Sequence, residues 1–296
     1  MSDDPKSPPV EGGEVSTPKP ENPTIPKIVK SIRSTVKDVP IHLACGVIHD
    51  GKVYRDISAH SILVSDRKAF GDHKNRNNPA KVITTVLGQK ITGIVGGVAI
   101  QSNMPRNLLG HDRDQIMFEL RDATVPNTPF EEKFQCAHCG SMNQAIIHAD
   151  EVRETFKEMP DEVRLNVEGH QCVFNIELPD YGFAGKFAHT DGKLQEALGA
   201  LYTDQANPFE LELEILSRIC IDFNGEGKVK KEELGDLNIE FLNDLQDAIS
   251  EHTYGYDLAV STSCYSCGGY TKVRVNTLDF LFQGERKRLT HGKPTT

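Results

Sequence analysis

Four of the seven cysteines fall in two matching turns, Cys136-Ala137-His138-Cys139-Gly140 and Cys264-Tyr265-Ser266-Cys267-Gly268. In a C-x-x-C turn two thiolates point at one ion, and the trailing glycine lets the backbone curl back around the second sulfur. One pair fills half a tetrahedron and two pairs complete it. Cys136, Cys139, Cys264 and Cys267 are therefore the expected ligands of one structural Zn2+ ion, with no coordination position left open for chemistry. Closing the long loop between the pairs costs about 4 kcal/mol, and structural zinc contributes on the order of 10 to 16 kcal/mol at neutral pH. The ion can hold two distant stretches together. An odd cysteine count with paired C-x-x-C spacing suits metal binding in a reducing compartment better than a disulfide framework. A thioredoxin-like redox pair needs a strand-to-helix junction, whereas both turns here are flanked by strand patterns. His138 reads as an exposed spacer, and Cys45, Cys172 and Cys220, in apolar surroundings, as core residues.

A second constellation runs from Asp222 to Glu233, DFNGEGKVKKEE, and matches the calcium-loop spacing with Glu226 in the fifth position. Its candidate ligands are Asp222, Asn224, Glu226, the Lys228 carbonyl and Glu233, with Gly227 at the sharp turn. Lys228, Lys230 and Lys231 offset the attraction of those acids for a divalent ion. Gly235 and the capping residues Asp236 and Asn238 predict a break after Leu234 and a fresh helix near Ile239. There is no second loop of this kind to pair with it. The stretch is read as a connecting loop in preference to a Ca2+ site. His111 and Asp114 share one turn of a predicted helix and are read as capping and surface charge. No nucleophile elbow, H-E-x-x-H, P-loop or kinase motif occurs, so neither an enzyme nor a small-molecule substrate is expected. With no tryptophan and 7% aromatic residues there is no evident stacking platform for bases or sugars.

Patterning supplies the elements that must position these residues. Residues 1–38 are a proline-rich arm expected to be disordered; within it Ile28, Val29, Ile32 and Val36 recur at helical spacing among basic residues, as a partner-binding segment. Residues 39–110 read as an N-terminal α+β part. It holds a hairpin about His49-Asp50-Gly51, a short helix capped by Ser65, a helix opened by Pro79, and a glycine-containing strand through ITGIVGGVAI. Residues 111–285 read as the zinc-clasped α/β core, which opens with an amphipathic helix carrying Ile116, Met117 and Leu120 on one face. FEEKFQ and NQAIIHA flank the first cysteine turn. A hairpin through RLNVEGHQCVFNIELP, a strand FAGKFAH and three helices follow, and YDLAVSTSC and YTKVRV flank the second turn. Residues 286–296 form a flexible basic tail. The expected fold is α+β: zinc-ribbon-like β-hairpins closed by two CxxC knuckles with a helical insertion, plus a small N-terminal β-rich part. A net charge of −10 argues against nucleic acid and anionic membrane as partners. No run of about 18 apolar residues and no basic-then-apolar leader is present, so a soluble cytoplasmic protein is expected.

Leu108-Leu109-Gly110-His111-Asp112-Arg113-Asp114 leads into a helix ending Glu119-Leu120-Arg121, followed by a short loop, a strand and CAHCG. A long mixed insert then leads to CYSCGGY and a closing strand ending Asp279-Phe280-Leu281-Phe282. In this order of features, residues 40–285 resemble the T-even-type baseplate hub and hub-assembly proteins of phage contractile tails. The resemblance implies a structural, non-enzymatic component of the tail baseplate in the virion, assembled in the host cytoplasm and docked on other baseplate and tail proteins. One alternative is an assembly chaperone of the same machine that is absent from the finished particle. A third reading is a zinc-ribbon regulator that binds nucleic acid. In the family the segment before the second cysteine turn is a helix, a short loop and another helix, and calcium is not implied.

Overall fold

The computed structural model describes residues 36–63, 66, 78–199, 201 and 207–277. Ile28, Val29, Ile32, Ser65 and the basic tail lie outside the described residues, while Val36 lies within them and is exposed.

Strands β1 (Asp38–His49) and β2 (Lys52–His60) form the expected antiparallel hairpin. Asp50 and Gly51 take φ of 48° and 70° at its tip, the left-handed pair that a two-residue hairpin turn requires. Helix α1 (Pro79–Lys90) starts where Asn78 Oδ1 accepts from Lys81 N and a proline occupies the first turn. Its Val82, Ile83, Val86 and Leu87 share a core with the sheet. Strand β3 (Ile91–Ile94) pairs with β2, giving the order β1-β2-β3. It stops well short of the run expected from ITGIVGGVAI, because Gly96 and Gly97 turn the chain at φ of 103° and 78°. Helix α2 (Met104–Asn107) is a single turn.

Helix α3 (Gly110–Thr124) departs most from expectation. Ile116, Met117 and Leu120 do pack into the first core, but the opposite side is buried too. Phe118 stacks on Phe130 at 5.3 Å between ring centroids. Asp112, Arg113, Gln115 and Arg121 are all almost fully buried. The helix is thus enclosed nearly all round, and the boundary expected at residue 110 falls at the start of an element that serves the cores on either side of it.

Its polar residues stay buried because each serves backbone groups elsewhere. β1 bulges between His42 and Val47, and a bulge frees ladder groups. Gln115 takes Ala44 N on Oε1 at 3.0 Å and gives Nε2 to His42 O at 2.7 Å. Asp112 Oδ1 accepts from Cys45 N at 2.8 Å. Arg113 donates to Gln195 Oε1 at 2.7 Å, to Ala80 O at 2.8 Å and to Pro105 O.

Two hairpins follow in the chain, β4 (Phe130–Gln135) with β5 (Met142–Ile147) and, far downstream, β10 (Ala259–Ser263) with β11 (Tyr270–Arg274). Between them lie the short helices α4 (Ala149–Arg153) and α5 (Asp161–Arg164) and an antiparallel four-stranded sheet. That sheet consists of β6 (Val167–Glu168), β7 (Gln171–Leu178), β8 (Phe183–Ala188) and β9 (Cys220–Phe223). Helix α6 (Gly192–Gly199) precedes α7 (Pro208–Ile219), and the short α8 (Lys231–Gly235) precedes α9 (Ile239–Glu251). Phe174, Ile176, Phe183 and Phe187 of the sheet bury against Leu213 and Leu216 of α7 and Phe241, Leu242 and Leu245 of α9. Asn238 caps α9 by accepting from Glu240 N, so the helix begins where the sequence places it. The fold is mixed helix and sheet. Among the described residues no helix is long and apolar enough to cross a membrane.

Candidate metal centre

Alternation along the hairpins decides where the cysteine turns go. In β4 and β5 the inward residues are Phe130, Phe134, Asn143, Ala145 and Ile147. The apolar ones share one core with Val273, Val275, Leu258 and Phe118. The two hairpins therefore pack through their apolar sides and against α3, which carries both tips to one place.

The tips are built alike. Cys136 N donates to Ser141 O and Gly140 N to Cys136 O, both at 2.9 Å; Cys264 N donates to Gly269 O and Gly268 N to Cys264 O, again at 2.9 Å. Gly140 and Gly268 hold φ of 72° and 73°, where a side chain would be strained. Cys136 and Cys267 lie 3.7 Å apart at sulfur and Cys139 and Cys264 3.6 Å, and all four sulfurs lie within 4.8 Å of one another. A tetrahedral ion with metal–sulfur bonds of about 2.3 Å spaces its sulfurs about 3.8 Å apart, so the set fits one ion.

Backbone amides prepare the sulfurs for negative charge. His138 N donates to Cys136 Sγ, Ser266 N to Cys264 Sγ and Gly269 N to Cys267 Sγ, each at 3.4 Å, and Asn143 Nδ2 donates to Cys264 Sγ at 3.3 Å. The Cys267 amide, with that of Ser266, holds Cys264 down to about 6, and the Cys139 amide lowers Cys136. Cys267 accepts from Gly269 N, yet it is pushed up to about 12 by the neighbouring sulfurs, Cys139 foremost. Four thiolates repel one another at this range, and a divalent cation at their centre removes that repulsion.

His138 is exposed, as the sequence suggests, but it is more than a spacer. Its Nε2 donates to Tyr270 O at 3.0 Å, which sets the tautomer, and its ring covers Gly269 so closely that a Cβ there would sit 2.5 Å from Cδ2. Asn143 Oδ1, on the same hairpin as His138, makes a second clip to the other hairpin by accepting from Tyr265 N at 3.0 Å. These two clips across the tips were not foreseen from the sequence; a polar residue at an inward position of β5 is the signal that could have pointed to Asn143. Cys45, Cys172 and Cys220 lie apart from the centre and are buried.

The other predicted site residues serve local structure. Asp222 ends a strand rather than a helix, and its carboxylate accepts from Gly225 N at 3.0 Å and Gly227 N at 2.8 Å. Asn224 Oδ1 accepts from Ala184 N at 3.2 Å, and Glu233 Oε2 accepts from Lys230 N at 2.8 Å at the start of α8. Glu226 and Lys228 face solvent on the turn. Among the described residues the four cysteines are the one group of His, Cys, Asp or Glu side chains gathered closely enough to hold an ion. His111 and Asp114 do not cap α3, whose capping residue is Leu109. They are half-buried: Asp114 accepts from Arg274 of β11 at 3.3 Å, and burial, with Arg274 nearby, pushes His111 down to about 4. No protein-family model, curated protein or solved structure matches this chain.

Proposed function

We propose that this chain is a non-catalytic structural protein whose two hairpins form a zinc-ribbon-like pair clasped by one zinc ion. Its place would be at or near the hub of a phage contractile-tail baseplate, docked on neighbouring baseplate subunits. The observation that carries the reading is the meeting of sulfurs 131 and 125 positions apart in the chain at tetrahedral spacing. Four thiolates in closed tetrahedral array favour structural zinc, an ion with no redox chemistry and no need of an open position. Docking is supported by Met142, Tyr265 and Tyr270, which lie on or beside the cysteine turns and are each more than half exposed; methionine and aromatic residues are enriched in protein interfaces. The baseplate is supported by the order of features in residues 40–285 that resembles the T-even-type hub family. The test is quantitative mass spectrometry of purified contractile particles from the system that encodes the chain. Recovery in fixed ratio to known baseplate subunits is expected. Absence from finished particles would replace this reading with the assembly-chaperone one.

A further inference from the structure

We propose that the cavity beside Arg164 is a binding site for a small organic molecule bearing an oxyanion, phosphate or carboxylate. The cavity measures about 680 Å³ and lies between the bulge of β1, the approach to α3, the end of α5 and the β6–β7 turn. Although the chain carries a net charge of −10, the formally charged side chains lining this space are Arg164, Lys193 and Asp191, with His49, His170 and His189 beside them. Asp191 is already engaged, since its Oδ1 accepts from Leu194 N at 2.8 Å at the start of α6.

Arg164 is 7% exposed. Its Nε donates to Gly46 O at 3.1 Å, and among the described residues it makes no ion pair. Asp112, a buried carboxylate held by Cys45 N, lies near enough for Arg164 to lower its pKa but makes no direct ion pair with it. A buried cation with no carboxylate in direct contact is costly, and a guanidinium fork is shaped to take an oxyanion by two parallel bonds. His189 is 5% exposed, and its Nε2 has no hydrogen-bond partner among the described residues. Buried polar atoms are rarely left in that condition without a role. Burial pushes this imidazole down to about 3, so it stands neutral and able to donate one proton to a ligand.

A third observation comes from the lip. His170 occupies the β6–β7 turn at φ of 73°, a left-handed position that a side chain adopts only at some cost. Its exposed imidazole offers a hydrogen-bonding group at the mouth, and the Lys193 ammonium supplies positive charge there. Met104, Leu108, Leu109 and Ile94 line the rest and suit an apolar body behind the anionic group. The ligand is held and not turned over: nothing in the lining forms a nucleophile with its base.

Calorimetric titration of the metal-loaded full chain with inorganic phosphate and, separately, succinate tests this, with ionic strength balanced by chloride. Saturable binding of at least one is expected, and the tighter of the two names the group. Lys193→Met and His170→Gly should each weaken that affinity by about tenfold, equal to about 1.4 kcal/mol. Without ligand, His170→Gly should melt no lower than the native chain, because glycine takes the left-handed turn without strain; weaker binding then cannot be put down to unfolding. No saturable heat with either probe, or unchanged affinity in both variants, overturns the proposal.

Discussion

Replacing Arg113 by methionine removes the donors that join α3 to three other helices while keeping an apolar stem of similar length. Arg113 is fully buried and donates to Pro105 O beside α2, to Ala80 O in α1 and to Gln195 Oε1 in α6. Gly192 passes so close that a Cβ would overlap Arg113 Nη1, so the space is moulded to this side chain. Ala80 O keeps a second partner in Thr84 Oγ1 at 3.1 Å, which leaves Pro105 O and Gln195 Oε1 as the groups that lose most. Each buried acceptor left unpaired costs about 1 to 3 kcal/mol. Part of this is returned because burial disfavours the charged guanidinium, pushing it down to about 10. The net loss for Arg113→Met is about 3 kcal/mol. The chain has no tryptophan, so urea unfolding followed by far-UV circular dichroism is the suitable assay. None of these contacts involves the cysteine hairpins, so the metal content of the folded variant should be unchanged. A loss below about 1 kcal/mol with an unaltered m-value would refute the role assigned to Arg113.

Acid sensitivity should respond in opposite directions to two core substitutions. His189 is held neutral down to about 3 against 6.5 when free, so the unfolded chain binds the extra proton, and this group's stabilising contribution is lost as pH falls below about 6.5. Asp112 is raised by burial from 3.8 to about 6, so the folded chain binds the extra proton and this group opposes the loss between about pH 6 and 4. In that window His189→Gln should flatten the fall in stability on acidification and Asp112→Asn should steepen it, each by about 1.4 kcal/mol per pH unit at most. Urea midpoints at a series of pH values check both. For the acidic loop, calcium added after chelation should leave the melting temperature unchanged, whereas Asp222→Ala should lower stability by about 1 kcal/mol through loss of its bonds to Gly225 N and Gly227 N. A calcium-specific rise that disappears in Glu233→Gln would reverse that reading.

Elements whose signals are local were legible in the sequence. Alternation marked both cysteine hairpins, the Asp50-Gly51 pair marked the first turn, and Asn238 marked the start of α9. The pairing of the two C-x-x-C turns was legible as well, because tetrahedral thiolate chemistry calls for four ligands and two turns provide them. What was hidden depends on partners distant in the chain. The burial of Asp112, Arg113 and Gln115 has no local signal, since nothing nearby in the chain announces that the β1 bulge and three other helices will need their hydrogen bonds. The same blindness put His111 and Asp114 on the surface, although β11 supplies Arg274 to the latter. Short helices such as α4, α5 and α8 are too brief to show a 3.6-residue period. The cavity beside Arg164 draws its lining from five stretches of chain, and no window of sequence contains it.

The central claim is that Cys136, Cys139, Cys264 and Cys267 hold a single ion that joins the two hairpins. Native mass spectrometry of the purified chain, with metal identified by elemental analysis, measures this directly. The account predicts one zinc ion per chain, and none in the Cys264→Ser, Cys267→Ser double variant, even though Cys136 and Cys139 remain in place. Full zinc occupancy in that double variant would show that the distant cysteine pairs are not one site.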